Sequence, residues 1–294
     1  MKVVFDQKKQ CVLDLVKLLL MFGIIARHAT MENIDAAYPI FHGFSRGVIG
    51  ISEICVPLFF VISGFLFFLN VPEKPKPEYF LNKLKRRFIS LVIPYLIANC
   101  VALAVYFCAH KFAPQLLSGF MGDNWKNPIY IFWTGPINLS LWFIRELILV
   151  VILSPLVYLL VRYCRIFGVL ALGALWIFKI GPAPIFFFSL GAWFSICGGI
   201  RTGNGQEVAP KTLKFYKNSR SWSFFMYLYH YIPLIALKKV LYVFLSPTTD
   251  WLMFVIYLTS LVTVIVFISL IYLALKKLLP RFLGVLVGGR PAVA

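Results

Sequence analysis

"CVPLFFVISGFLFFLN", residues 55–70, runs through sixteen positions without an Asp, Glu, Lys or Arg. A bilayer core takes roughly 20 apolar residues of helix to cross. With the apolar residues before it, this stretch reads as a transmembrane helix over 47–70. The same pattern repeats along the chain, and candidate helices fall at about 11–30, 47–70, 88–109, 139–162, 166–180, 182–200, 221–246 and 251–275. Gly181-Pro182 divides the fifth from the sixth, which are either two thin spans or one broken re-entrant element.

Composition agrees. The 294 residues are 61% hydrophobic and 14% charged, with a mean hydropathy of +0.85. Soluble domains sit near half apolar and a quarter charged. The expected fold class is therefore all-α, a polytopic transmembrane helical bundle of about eight spans. The net charge of +18 raises nucleic-acid binding as an idea. However, the bases fall between the apolar runs, where the positive-inside rule explains them and no nucleic-acid partner is implied. With the N-terminus inside, the inner segments hold about 20 basic residues and the outer loops 4. That bias predicts an even number of spans with both ends cytoplasmic. The six cysteines form no CxxC pair, and no metal-site spacing or phosphate-binding glycine loop is present. The first apolar run, broken by Asp14 and Lys17, does not read as a signal peptide. The segment "VPEKPKPEYF" at 71–80 reads as a stiff Pro-rich connector.

Ionisable residues inside an apolar helix are costly and mark function by default. The first helix carries Asp14, Lys17, Arg27 and His28. At about 100° per residue, Lys17 and His28 point within about 20° of each other and Asp14 lies about 40° from His28. One stripe thus bears acid, base and imidazole, while Arg27 points toward another neighbour. Glu53 on the second helix and Arg145 and Glu146 on the fourth are expected at a similar depth. Arg27 or Arg145 can pair with Glu53 or Glu146, leaving a carboxylate to orient His28 as a general base. Arg–Glu pairs between helices also serve as structural glue, and His28 and His230 could each be packed, satisfied histidines. At the inner face, Lys83, Lys85, Arg86 and Arg87 suit phosphates of lipid headgroups or of a nucleotide-bearing cofactor, or act only as a topology signal. Gly64, after Ser63, permits close approach of another backbone or a ligand chain.

Six stretches in this order resemble acyltransferase family 3, over about residues 8–285: "LDLVKLLLMFGIIARHA", "CVPLFFVISGFLFF", "KRRFISLVIPYLIAN", "LWFIRELILVVILSPLVYLL", "FFFSLGAWFSI" and "SFFMYLYH". The resemblance implies a single integral-membrane acyltransferase-like domain over 1–294. The bases at 201–220 read as a cytoplasmic loop, where the family commonly carries another helix pair. The span number is below the usual ten of the family. It also implies transfer of an acetyl or other short acyl group from cytoplasmic acyl-CoA, with acetyl-CoA as donor substrate and no metal. The acceptor would be a hydroxyl of an envelope glycan, a lipid-linked sugar or a related surface molecule, and the location the bacterial inner membrane. The helix-1 histidine of the family matches His28, and its basic and acidic start matches Lys9, Asp14 and Lys17. The basic pair before the third helix matches Arg86 and Arg87. Ser63, Gly64 and Phe65 match the helix-2 triplet. Trp142, followed by Arg145 and Glu146, matches the start of helix 4, and His230 matches a later histidine. In this reading Lys85, Arg86 and Arg87 hold the CoA phosphates and the pantetheine arm passes Ser63 and Gly64. His28 takes the acceptor proton, Arg27 or Arg145 stabilises the oxyanion, and Glu53 or Glu146 orients. Asp14, Lys17, Trp142 and His230 support the site. The alternatives are a proton-coupled carrier and a truncated, non-catalytic membrane scaffold.

Overall fold

The computed structural model describes residues 7–31, 37–112, 133, 137–198 and 210–290, without the side chains of 7 and 210–217. Among these residues all regular structure is helical. The chain runs α1 (Gln7–Ala29), α2 (Pro39–Ser52), α3 (Cys55–Phe68), α4 (Pro77–Arg87), a π turn at Phe88–Val92, and α5 (Ile93–Phe112). A 3₁₀ turn at Leu139–Leu141 leads into α6 (Trp142–Ile152), followed by α7 (Ser154–Ile177) and α8 (Ala183–Ile196). The remainder is α9 (Pro210–Tyr229), α10 (Tyr231–Leu245), α11 (Asp250–Leu278) and α12 (Pro280–Leu286).

Proline decides where these helices break. A proline inside a helix cannot donate to the carbonyl four residues back, and its ring presses on that carbonyl. Pro57 lies four residues after Glu53, where α2 ends and α3 begins at Cys55. Pro94 lies four after Ser90, in the middle of the π turn. Pro155 follows the junction of α6 and α7 at Leu153. Pro233 lies four after Tyr229, and there α9 and α10 meet at a 55° bend. Prolines also open α2, α4, α9 and α12, in the first turn where a missing N–H costs nothing.

These breaks revise the expected boundaries. The helix expected over 139–162 is split, and its second half continues through the one expected at 166–180 as α7, kinked at Arg165 (φ 50°). The helix expected over 221–246 is the bent pair α9–α10. Helix α9 already starts at Pro210, so the basic loop expected at 201–220 is helical from that residue onward. Residues 201–209 lie outside the described residues. The count of about eight spans is not reached. Among the described residues, four helical stretches are long and apolar enough to cross a bilayer: 39–68, 77–112, 154–177 and 250–278. Counting the bent pair makes five. Helix α1 drops out because Asp14, Lys17 and Arg27 punctuate it, and α8 because it has only 14 residues.

The closest helix crossing is α3 on α8. A Cβ at Gly64 would collide with the carbonyl oxygen of Phe188, and one at Gly191 with that of Val61. These paired glycines let two backbones touch, as small residues do in membrane bundles. Helix α11 shows the lipid-facing pattern. Leu258, Val262, Val266, Leu270 and Leu273 are exposed along it, while Met253, Tyr257, Val264 and Ile268 are buried. Apolar side chains in such numbers on the outer surface fit a protein solvated by lipid tails.

Candidate active site

Helix α1 ends beside the bend between α9 and α10, and this meeting builds the site. Lys238, buried on α10, donates to the carbonyl oxygens of His28 and Thr30, each at 2.6 Å. It satisfies carbonyls that a helix end leaves without partners and fixes the last turn of α1. The His28 ring sits 5.6 Å from that of His230, and Tyr231 meets His28 edge-on at 5.1 Å. His230 is fully buried. Its Nδ1 lies 2.9 Å from the carbonyl oxygen of Tyr227 and 3.1 Å from that of Met226. A ring nitrogen can bond a carbonyl only by donating, so Nδ1 carries a proton. The Nε2 of His230 is buried without a hydrogen-bond partner.

His28 opens on a cavity of about 1070 Å³. Arg27 and His28 come to its wall from α1, Glu53 and Pro57 from the α2–α3 break, Trp142 and Phe143 from α6, and Tyr231 and Lys238 from α10. Glu53 is exposed there and forms no ion pair with the described residues. Behind the wall, Asn138 donates to the carbonyl of Leu228 at 2.8 Å, Ser140 donates to Asn138 at 2.6 Å, and the Tyr227 hydroxyl donates to the Ser140 carbonyl. This relay ties the 3₁₀ turn before α6 to the bend at His230.

A second cavity, about 300 Å³, lies toward the start of α1. Asp14, Lys17, Ser63, Arg87, Arg220 and Arg290 line it, and it shares Phe143 and Tyr227 with the first. The two rings stand 5.9 Å apart at 81°. Two aromatic side chains therefore divide a basic chamber from the histidine chamber. Asp14 is buried and holds Lys17 at 3.2 Å and Arg220, whose Nε donates at 3.1 Å.

The expected residues separate accordingly. Arg27, His28, Glu53 and Trp142 share the first cavity, with His230 behind it, and Asp14, Lys17, Ser63 and Arg87 share the second. Arg145 and Glu146 line neither. They pair with each other at 2.8 Å, and Arg145 also donates to the Trp133 carbonyl at 2.7 Å. Gly64 is closed off by Phe188 and offers no passage to a ligand chain. Lys85 and Arg86 are exposed outside the second cavity, and Lys83 instead donates to the carbonyl of Phe67 at the end of α3. The sequence reading missed Tyr227, Tyr231, Lys238, Arg220 and Arg290 as site residues. Lys238 had a signal, a lysine within the apolar run of "YIPLIALKKVLY". No group of three or more metal-binding side chains occurs among the described residues.

Residues 12–201 match the family model of acyltransferase family 3, described as an acyltransferase domain. The match covers more than half of the chain, and the chain belongs to this family. It is also 28% identical over 209 residues to the succinoglycan biosynthesis protein ExoH of Rhizobium meliloti (strain 1021). That alignment takes in 63% of this chain but 54% of the relative, so the chain spans about half the length of the curated relative it matches. No solved structure matches.

Proposed function

We propose, from its membership of this acyltransferase family, that the protein is a membrane O-acyltransferase that moves an acetyl or other short acyl group from acyl-CoA to a hydroxyl of an envelope polysaccharide. The observation that carries this reading is the pair of cavities that share Phe143 and Tyr227 in their walls, one lined by Lys17, Arg87, Arg220 and Arg290 and the other holding His28. A thioester donor has that polarity, with phosphates at one end and a reactive carbonyl at the other. His28 lies about 16 Å beyond Lys17 along α1, at 1.5 Å per residue. The polymer in the relative's name, succinoglycan, supports a carbohydrate acceptor. The excess of basic residues on one set of loops supports an inner-membrane location with the basic cavity on the cytoplasmic side.

In this mechanism the donor's phosphates rest against Arg87 and its neighbours, and the pantetheine arm passes between Phe143 and Tyr227. The acceptor hydroxyl loses its proton to His28 as its oxygen attacks the thioester carbon. Arg27 stabilises the oxyanion. The carbon–sulfur bond then breaks, the thiolate leaves, and the imidazolium returns the proton to sulfur. Glu53 counters the local positive charge. His230 holds the ring of His28 in place by contact.

Membrane vesicles, labelled acetyl-CoA and envelope polymer test this. Label enters polymer with the native chain, and His28→Ala lowers the rate by about 10²- to 10⁴-fold, the usual share of a general base. Equal rates would remove His28 from the chemistry. The second reading, a proton-coupled carrier, is favoured by the broken helix at His230, since such breaks line transport sites. A carrier leaves the acetyl-CoA in the same assay unconsumed.

A further inference from the structure

The second cavity holds more positive charge than its own wall neutralises. Lys17, Arg87, Arg220 and Arg290 line it, and among the described residues Asp14 is the only carboxylate that does. Asp14 is already committed to Lys17 and Arg220. Arg87 lies 5.9 Å from the centre of the Phe67 ring, and no carboxylate among the described residues pairs with it. Arg290 stacks on the ring of Phe224 at 3.5 Å, and its Nη1 donates to the carbonyls of Ser90 at 3.2 Å and Val287 at 2.7 Å. It too meets no carboxylate among the described residues. Burial, and then the charges of Arg87 and Arg220, push the Arg290 guanidinium below its ordinary range. These cations are half-buried, and like charges gathered at partly dry positions without a counter-ion are costly unless something anionic completes them.

The chain makes a specific effort to place Arg290. After α12 it turns back through Gly288 (φ +66°) and Gly289 (φ +71°), a left-handed path that glycine takes without strain. A Cβ at Gly288 would meet the Ser90 backbone, so the turn lies flat against the π turn that Pro94 creates. The turn delivers Arg290 to the cavity with its ring stacking and two carbonyl contacts already made. A guanidinium has five N–H donors in a rigid plane, and those beyond Nη1 remain for a ligand. Such a fork fits phosphate oxygens.

We propose that Arg290, set by the Gly288–Gly289 turn, completes with Arg87 and Arg220 a phosphate-binding site in the second cavity. The ligand is a phosphate ester, from either of two sources: the nucleotide end of a coenzyme A thioester or the headgroup of an anionic lipid. The first source rests on the acyltransfer reading, whereas the site itself rests on Arg87 and Arg290, which meet no carboxylate among the described residues. Both Arg220 and Arg290 lie outside the region matched by the family model.

Arg290→Gln tests the site. Gln keeps a donor for the Ser90 carbonyl and a flat group over Phe224, and removes the charge. The full chain in detergent is titrated with coenzyme A and with pantetheine, which lacks phosphates, and the phospholipid that copurifies is measured. Coenzyme A binding is expected to weaken by about ten- to a hundredfold, the worth of one or two charged hydrogen bonds. Pantetheine binding stays the same. The melting temperature without ligand holds or rises, because one of several crowded cations is gone. If coenzyme A does not bind the native chain, yet retained anionic lipid falls in the variant, the phosphate site stands with lipid as its source and the acyl-CoA reading of this cavity fails. Unchanged coenzyme A binding together with unchanged lipid overturns the site. A lowered melting temperature with equal losses for coenzyme A and pantetheine also overturns it, because Arg290 would then serve the fold alone.

Discussion

His28 stands where three constraints meet. Its carbonyl is capped by Lys238, its ring is flanked by His230 and Tyr231, and its open side faces the larger cavity. Lys238 is the least replaceable of these supports, since a single ammonium serves two carbonyls at the end of α1. Lys238→Met keeps the length and the apolar stem but leaves both carbonyls without this donor. The expected loss is about 1–3 kcal/mol of stability for an unsatisfied buried group, read by thermal unfolding in detergent, with a fall in transfer rate. Unchanged stability and rate would show that Lys238 does not set the last turn of α1. The stripe of Asp14, Lys17 and His28 was legible from helical periodicity alone. What periodicity could not show is that Asp14 and Lys17 serve one cavity and His28 another, because the partition is made by Phe143 of α6 and Tyr227 of α9. Arg145 and Glu146 misled for a related reason. Adjacent residues on a helix normally diverge, yet these two side chains curl back on each other at 2.8 Å.

At the scale of elements, proline placement explains both what sequence reading caught and what it missed. Apolar runs located most of the helices, but α4 (Pro77–Arg87), which begins inside the stretch read as a connector at 71–80, and α12 (Pro280–Leu286) lie outside every expected span. The runs could not locate the breaks at Glu53, Leu153 and His230, because hydropathy does not change where a proline removes one hydrogen bond. The site sits at two of those breaks, Glu53 and His230. Pro233→Ala tests the claim that the bend is part of the site. Alanine restores the donor to the Tyr229 carbonyl, and the helix gains the means to straighten. The expected outcome is a protein at least as stable as the native one by thermal unfolding, with its transfer rate lowered at least tenfold as His230 and Lys238 leave the end of α1. A variant with full activity would show that the 55° bend survives without proline or is irrelevant.

At the scale of the whole molecule, the apolar exterior and the enclosed charges assign separate tasks. Helices such as α11 meet lipid on one side and close the bundle on the other. The polar groups gather in two chambers placed end to end along α1, and the family match from 12 to 201 covers the helices that form most of both walls. The basic chamber was only partly legible in the sequence. Arg87 was singled out, but Arg220 and Arg290 join it through contacts made from 206 and 200 residues away, to Asp14 and Ser90 respectively. No local pattern announces such partners.

The central claim is that the two chambers form one path for the donor. A coenzyme A thioester with a photoreactive acyl group, irradiated in membranes containing the native chain, tests it most directly when the labelled peptides are then mapped. The account predicts label on the walls of the larger cavity, at the end of α1 or on the facing part of α10, and its loss when unlabelled coenzyme A is present. Label confined to the exposed surface around Lys85 and Arg86, or label that excess coenzyme A does not displace, would contradict it.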